Sequence, residues 1–442
     1  MSHFVINTLH TLRFEDLPSE VVQQTQRCLL DLIGVAAGGS STELATIICQ
    51  HAVQQFGSSE QGARILFDGR RSSPVGAALA GGMSIDSLDA HDGHPLTKGH
   101  AGVALLPALL AYIDSGYAVS GREFLTSLAL GYEFAIRAGM ALHASVSDYH
   151  TSGAWNALAC AALGARLMQL DTKQTCEALG IAEYHGPRSQ MMRCIDYPTM
   201  VKDGSGWGAM AGVSAAYLAA AGFTGAPAIT VEADELQSYW NDLGQRWRIM
   251  EQYFKPYPVC RWAQPAVEAA LSLIRAHQIS ADEIETIHVF SFYQAVKLAC
   301  REPTGTDAAQ YSLPFSVATA LINGQLGAAE VTGKALTDPR ILRLSNAMVL
   351  IEDADYSALF PAERWAHVEI LLQNGQRLIS APTIARGNAE NALSEAEMKE
   401  KYRQLSQPVL GVERSQAIQD SVIQLSAATN DTALLLDLLL QK

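Results

Sequence analysis

The chain has 442 residues, of which 48% are hydrophobic and 17% are charged. Lys and Arg total 31 against 45 Asp and Glu, which gives a formal net charge of −14. Such a field repels nucleic acid and anionic lipid, so neither nucleic acid nor a membrane is an expected partner. Single cores usually stop growing at roughly 250 to 300 residues, so this length predicts two domains.

The N-terminal segment lacks the basic start and apolar core of a secretion signal. The apolar run at residues 101–113 is shorter than the roughly 20 residues that span a bilayer, and it predicts a buried helix. Seven scattered cysteines without a CxxC pair argue against both a disulfide framework and a zinc site. These features together predict a cytoplasmic protein that uses no metal.

From residue 15 to about 250, apolar residues at helical spacing alternate with Gly, Ser and Asp, which predicts a helical domain. One amphipathic helix should begin at a Ser19 cap and end at Gly38–Gly39. Another should begin at Ser120, with Glu123 in a capping-box position. Several segments are rich in Ala and Gly, and such small side chains favour close helix-on-helix packing.

After residue 253 the pattern changes to β-forming runs, at 284–292 and at 365–381 around an Asn374–Gly375 turn. Helical stretches lie between these runs, so the region 254–388 is predicted to be α+β. The last residues return to polar helices. The predicted fold is therefore mostly α, with a large all-helical domain formed from both chain ends (1–253 and 389–442) and a smaller inserted α+β domain.

The densest polar cluster precedes the buried helix, in the segment LDAHDGHPLTKGHAG. Its ionisable residues are Asp89, His91, Asp92, His94, Lys98 and His100. Imidazoles and an Asp at a helix entrance can act as general acids and bases, and Lys98 can bind a carboxylate. A metal site is the alternative, because His91, His94 and an Asp are suitable ligand types.

Two further regions carry candidate residues. Tyr149 and His150 precede a Thr-Ser-Gly turn and an Ala-rich helix, so His150 is either a proton-transfer group or a structural imidazole. The cationic candidates are Lys202, before a Gly-rich helix start, and Lys255 and Arg261, which lie with Gln264 near the domain boundary. Cations kept in apolar or Gly- and Pro-rich contexts indicate a carboxylate pocket, although solvated surface lysines give the same pattern.

Several motifs are absent from the sequence, namely the P-loop, a GxGxxG after a strand, the GxSxG elbow and HExxH. Phosphoryl, hydride and acyl-serine chemistry are therefore disfavoured, which leaves acid and base chemistry on a small anion. Two alternatives from other classes remain. One is a metal-dependent hydrolase using His91, His94 and His100, and the other is a non-catalytic helical protein that binds an anion.

These motifs resemble the MmgE/PrpD family, which includes 2-methylcitrate dehydratase, cis-aconitate decarboxylase and iminodisuccinate epimerase. The resemblance covers almost the whole chain and rests on the segments CLLDLIGVAAGGS, LDAHDGHPLTKGHAGVALLPALLA, GYEFAIRAG, YHTSGAWNALACAALGARLMQLD, FKPYPVCRWAQPA, AQYSLPFSVATAL and NALSEAEMKEKY. It implies a large helical domain built from both chain ends, a smaller α+β lid, a cleft at their junction and a homodimer. It also implies a reaction without a cofactor.

Residue by residue, the resemblance matches the family's active-site Asp, its two His and its two pocket lysines to Asp89, His100, His150, Lys202 and Lys255. The dehydratase and decarboxylase pattern resembles LDFDDT followed by HPSG. Here His91 replaces an Asp, Gly93 replaces a Thr and Ala101 replaces a Pro. With the shorter chain, this pattern is closest to the epimerase branch.

The expected reaction is removal of the proton α to a carboxylate of a small di- or tricarboxylic acid, with the resulting charge held by Lys202, Lys255 and Arg261. Reprotonation gives epimerisation of an iminodisuccinate-type substrate, and loss of a β-leaving group gives the alternative, a 2-methylcitrate dehydratase or related lyase. The predicted catalytic residues are His100, His150, Tyr149, Lys202 and Asp89. The predicted substrate-binding residues are Lys98, His91, His94, Lys255, Arg261 and Gln264.

Overall fold

The computed structural model describes residues 2–57, 62–427 and 432–442. Its first half is helical, apart from a short antiparallel ribbon of β1 (Ala63–Arg64) and β2 (Arg71–Ser72). The helices of this half are α1 (Ser2–Thr11), α2 (Ser19–Gly39), α3 (Glu43–Gln55), α4 (Pro74–Asp86), α5 (Gly102–Asp114), α6 (Gly121–Ser145), α7 (Gly153–Leu167), α8 (Thr172–His185), α9 (Met191–Asp196), α10 (Ser205–Ala220) and α11 (Ile229–Glu232).

The predicted helix starts agree with the structure at one position and differ at another. The Ser120 side chain accepts a hydrogen bond from the Glu123 backbone N–H and caps α6, as expected. The Glu123 carboxylate binds Arg166 instead of closing a capping box. Ser19 is the first residue of α2 and not its cap, because Pro18 holds the extended cap position with φ −57° and ψ 146°.

Small residues let the central helices pack closely, as the composition predicts. Helix α5 coincides with the predicted buried helix, and its residues from Gly102 to Ile113 are buried. A Cβ atom at Gly212 of α10 would overlap the carbonyl oxygen of Ala157 on α7. Among the described residues no single helix is long and apolar enough to cross a membrane, and the bent pair α2 and α3 meets that test by length and composition only.

The middle of the chain forms an α+β unit. Its elements are α12 (Gln264–His277), β3 (Ile284–Ser291), α13 (Tyr293–Val296), α14 (Thr306–Gln310), α15 (Leu313–Asn323), α16 (Pro339–Asn346), β4 (Met348–Glu352), α17 (Ala354–Leu359), β5 (Trp365–Leu372), β6 (Arg377–Ile379) and β7 (Thr383–Ile384). We call α12–α17 with β3–β7 the α+β part of the molecule.

The sheet of the α+β part has the strand order β4-β3-β5-β6, and β7 pairs with β5. Strand β3 runs parallel to β4 and antiparallel to β5, with Ile287 opposite both Met348 and Ile370. The predicted hairpin joins β5 to β6, and Gly375 has the positive φ of +83° that the turn requires. The inward residues of β3 and β5 pack on α12 and form a core of their own.

The chain then returns to the first half through α18 (Glu395–Leu410), α19 (Val412–Gln424) and α20 (Ala433–Leu439). Helix α18 begins with a capping box between Ser394 and Glu397 and packs along α2. The large core contains side chains from both chain ends, such as Leu32 and Tyr402. The fold is mostly α, and we call α1–α11 with α18–α20 the helical part.

The contact between α7 and α10 gives a test of the close packing. We expect Gly212→Ala to lower the free energy of unfolding by about 1–3 kcal/mol, because the added methyl group meets backbone that cannot move aside. Ser214→Ala, on the same helix at a half-buried position, is the matched control. Urea unfolding measures both values, and equal stability of the two variants would contradict the packing argument.

Candidate active site

A narrow cleft lies where the helical part meets the α+β part, and five of the eleven predicted site residues line it. Its lining from the helical part consists of Asp89, Lys98, His100, Met191, Ile195 and Asp203. The segment between α11 and α12 contributes Tyr253, Lys255, Cys260, Arg261 and Trp262, and the α+β part contributes Tyr311 and Arg364.

The backbone is strained at three of the candidate residues. Asp89, Lys98 and Lys202 have φ values of +53°, +52° and +48°. They are three of the six non-glycine residues with positive φ in the described part of the chain. A left-handed conformation costs roughly 1–2 kcal/mol per residue for a side chain with a Cβ atom, and such strain clusters at functional sites.

Asp89 and Lys255 form a buried ion pair on one side of the cleft. The Lys255 ammonium donates to Asp89 Oδ1 at 2.7 Å and to the Asp89 carbonyl oxygen at 3.0 Å. Burial opposes ionisation of Asp89, but the charges of Lys255 and Lys202 outweigh it and hold the pKa of the carboxyl below its usual value. Asp89 is therefore a carboxylate whose position Lys255 fixes.

His100 presents a neutral imidazole to the cleft. Its Nδ1 lies 2.5 Å from the Asp92 carbonyl oxygen, which can only accept, so Nδ1 carries the proton. Burial, and next the positive charge of Lys255, lower the pKa of His100 to about 3. Nε2 has no hydrogen-bond partner among the described residues, so its lone pair is free to take a proton.

Two residues of the same loop explain how His100 is held. The His91 ring is buried against the His100 ring, with 4.4 Å between ring centroids, and burial lowers the pKa of His91 well below its usual value. Gly93 exchanges backbone hydrogen bonds with Tyr253. A Cβ atom at Gly93 would lie 2.8 Å from His100 Nδ1 and would overlap the Tyr253 hydroxyl, so this packing requires glycine.

Lys98 and Lys202 lie at different depths. The Lys98 ammonium sits 3.4 Å above the centre of the Tyr149 ring, and burial followed by the charge of Arg364 lowers its pKa to about 8. Lys202 is buried one layer behind the lining. It donates to the side-chain oxygen of Gln310 and lies 4.9 Å from the centre of the Tyr311 ring. Lys202 therefore affects the cleft through its positive charge and not through direct contact.

Five other predicted site residues do not line the cleft in this structure. His91 lies beneath His100, and His94 is turned away because its Nε2 pairs with Glu251 at 3.0 Å. Gln264 holds Arg261 through a 2.8 Å hydrogen bond. Tyr149 is 37% exposed and lies against Lys98, and the half-buried His150 follows it in the chain. Their predicted roles at the substrate stay predictions.

The cleft also contains residues that sequence reasoning missed. Arg364 enters the cleft from the segment before β5. The sequence around it, with Glu363 and Trp365 on either side, contains no recognisable motif. Asp203 follows Lys202 directly and accepts a hydrogen bond from Ser152, and burial raises its pKa to about 6. Its position next to a candidate lysine was the one available signal.

A metal ion could be held only at one place among the described residues, where Asp89, His91 and His100 offer ligand atoms within 4.8 Å of one another. The Lys255 ammonium already occupies one oxygen of Asp89 and opposes a second cation there. The arrangement fits proton transfer on an anion better than metal binding.

The state of His100 can be measured directly. Because its pKa is about 3, the ring should stay neutral from pH 8 to pH 5, and its ¹³C resonances in selectively labelled protein should not titrate in that range. His288, half-exposed on β3, serves as the internal comparison. A His100 resonance with a midpoint near 6.5, absent in His100→Gln, would contradict the neutral-imidazole assignment.

Comparison with known proteins agrees with this architecture. The model of the MmgE/PrpD N-terminal domain matches residues 6–239, and that of the C-terminal domain matches residues 257–426. The chain is 23% identical to the cis-aconitate decarboxylase-like protein oryM of Aspergillus oryzae, over 97% of this chain and 95% of the relative. It is 24% identical to human cis-aconitate decarboxylase and 23% to the mouse protein, over 89% of this chain and 85% and 84% of those relatives. The chain therefore belongs to the MmgE/PrpD family.

Proposed function

We propose that this chain is a lyase that acts without a cofactor on a small tricarboxylic acid, with decarboxylation of cis-aconitate as the first candidate. The observation that carries the proposal is the neutral His100, whose unpartnered Nε2 faces a cleft lined by Lys98, Lys255, Arg261 and Arg364. The relatives reported above are named as decarboxylases, which favours the lyase alternative over the epimerisation that the loop pattern indicates.

The proposed decarboxylation moves one proton and two electron pairs. The bond to the departing carboxylate breaks, CO₂ leaves, and the freed electron pair forms a new double bond. The former double bond shifts its electrons to its far carbon, which takes a proton. The neutral His100 has no proton on Nε2, but a bound trianion offsets the charge of Lys255, raises the pKa of His100 and favours the protonated ring.

Dehydration would use the same group in the opposite sense. The neutral Nε2 of His100 would take the proton α to a carboxylate and return it to the β-hydroxyl, which would leave as water. Lys255 and Lys202 lower the energy of the negative charge that develops beside the carboxylate in either case, because both ammonium groups are buried. One imidazole therefore serves both lyase outcomes.

A second candidate is epimerisation of an iminodisuccinate-type acid. The observation in its favour is the loop itself, where His91 and Gly93 stand in place of an Asp and a Thr, and where the packing of His100 against Tyr253 leaves no room for a side chain at residue 93. The homodimer, the cytoplasmic location and the small-acid partner are predictions that this proposal retains.

Product analysis in D₂O separates these candidates. Chelator-treated protein is incubated separately with cis-aconitate, 2-methylcitrate and iminodisuccinate and followed by proton NMR. We expect cis-aconitate to lose CO₂ and to gain one deuteron on carbon. His100→Gln should lower kcat by about 10²–10⁴-fold, as expected for loss of a general acid or base, while His288→Gln should keep the wild-type rate.

Three outcomes would overturn parts of this proposal. Full activity of His100→Gln removes the assigned role of the imidazole. Formation of an alkene from 2-methylcitrate alone makes the protein a dehydratase. Exchange of the α-proton of iminodisuccinate with a change of configuration and no alkene supports the epimerase.

Lys255→Met should lose most of the activity. Lys334→Met, at an exposed position, is the control for this variant.

A further inference from the structure

Arg364 reaches the cleft from the α+β part and touches the helical part. The residue lies in the segment between α17 and β5, and only 8% of its surface is exposed. Its Nη2 donates to the carbonyl oxygen of Pro95 at 3.2 Å, in the loop that also carries Lys98. The guanidinium therefore spans the junction at which the two parts enclose the cleft.

The two arginines of the cleft differ in how their donors are used. The terminal nitrogens of Arg261 donate to Oε1 of Gln264, the carbonyl oxygens of Ala385 and Arg386, and Oδ1 of Asn388. The face of this guanidinium lies 4.6 Å from the centre of the Tyr253 ring. Arg261 thus has its terminal donors engaged by the protein and holds the segment after β7 in place.

Arg364, in contrast, has few polar partners, although its guanidinium carbon lies 5.8 Å from the centre of the Phe360 ring. The bond to Pro95 is the one hydrogen bond that its guanidinium makes within the described ranges, and its buried Nε has no partner there. No carboxylate of the described residues forms an ion pair with it. A guanidinium carries five N–H donors, and a buried one normally has them satisfied. Buried N–H donors without a protein partner are suited to bind the carboxylate of a ligand.

Lys98 adds a second unpaired cation nearby. It forms no ion pair within the described ranges, and the charge of Arg364 is the second cause, after burial, of the lowered pKa of Lys98. The other lining cations are already engaged, Lys255 by Asp89 and Arg261 by the acceptors named above. Two like charges held together in a narrow cleft are stabilised by an anion between them.

We infer that Arg364, and not Arg261, binds the central carboxylate of the substrate, and that with Lys98 it selects tricarboxylic over dicarboxylic acids. This inference rests on the proposed function and names the substrate class of the same site. Planar bidentate pairing with a carboxylate is the geometry that a guanidinium provides and an ammonium does not.

Calorimetric titration of the full-length protein tests this inference without turnover. The probes are propane-1,2,3-tricarboxylate and glutarate, which share a chain of five carbons, counting both terminal carboxyl carbons, and differ in the central carboxylate. We expect the wild type to bind the tricarboxylate at least about tenfold more tightly. Arg364→Met should weaken tricarboxylate binding more than about tenfold and glutarate binding less than about threefold.

Two further variants keep the test decisive. Arg364→Lys retains the charge without the planar fork and should fall between wild type and Arg364→Met, which also covers a folding defect of the methionine variant. Arg377→Met, at an exposed arginine of the same part that pairs with Glu369, should bind like wild type. Circular dichroism and Tm confirm that each variant is folded.

The inference and the proposed function fail in different ways. Unchanged tricarboxylate binding by Arg364→Met, or an equal loss for both acids, overturns the inference even when the wild type decarboxylates its substrate. Binding of neither acid by the wild type also overturns it. Tricarboxylate binding that depends on Arg364, without turnover of any acid, leaves the inference standing and refutes the lyase.

Discussion

The ion pair between Asp89 and Lys255 is the constraint on which the rest of the site depends. Both side chains are buried, and the Lys255 ammonium holds the carboxylate and the backbone carbonyl of the same aspartate. Removing one partner of a buried pair typically costs about 3–5 kcal/mol, because the other charge is left without compensation. The pair therefore fixes the loop after α4 to the segment that leads into the α+β part, and so positions both walls of the cleft.

The same pair sets the chemistry of the imidazole. Lys255 is a major cause, after burial, of the low pKa of His100, and the Asp92 carbonyl fixes which ring nitrogen carries the proton. His100 is thus a neutral base among cations. An anionic ligand offsets the positive charges and so raises the pKa of the imidazole. This arrangement requires strained left-handed backbone at Asp89 and Lys98, and it leaves room only for glycine at residue 93.

Much of this could be predicted from the sequence, because helical periodicity, cap residues and the turn at Gly375 are local signals. The cluster that contains Asp89 and His100 is recognisable for the same reason. Contacts between residues distant in the chain could not be predicted. The pairing of His94 with Glu251 removes that imidazole from the cleft, and Arg364 enters it from a segment without a motif. Periodicity and spacing report which face is buried, and they do not report which charged groups meet there.

A crystal structure of the protein with propane-1,2,3-tricarboxylate is the most direct test of the central claim, that His100 serves an anion held in this cleft. The account predicts one carboxylate on Arg364 and Lys98, and a ligand carbon within about 3.5 Å of His100 Nε2, the distance of a near-attack arrangement. A ligand bound outside the cleft, or a His100 ring whose Nε2 is turned to the Asp92 carbonyl, would contradict it.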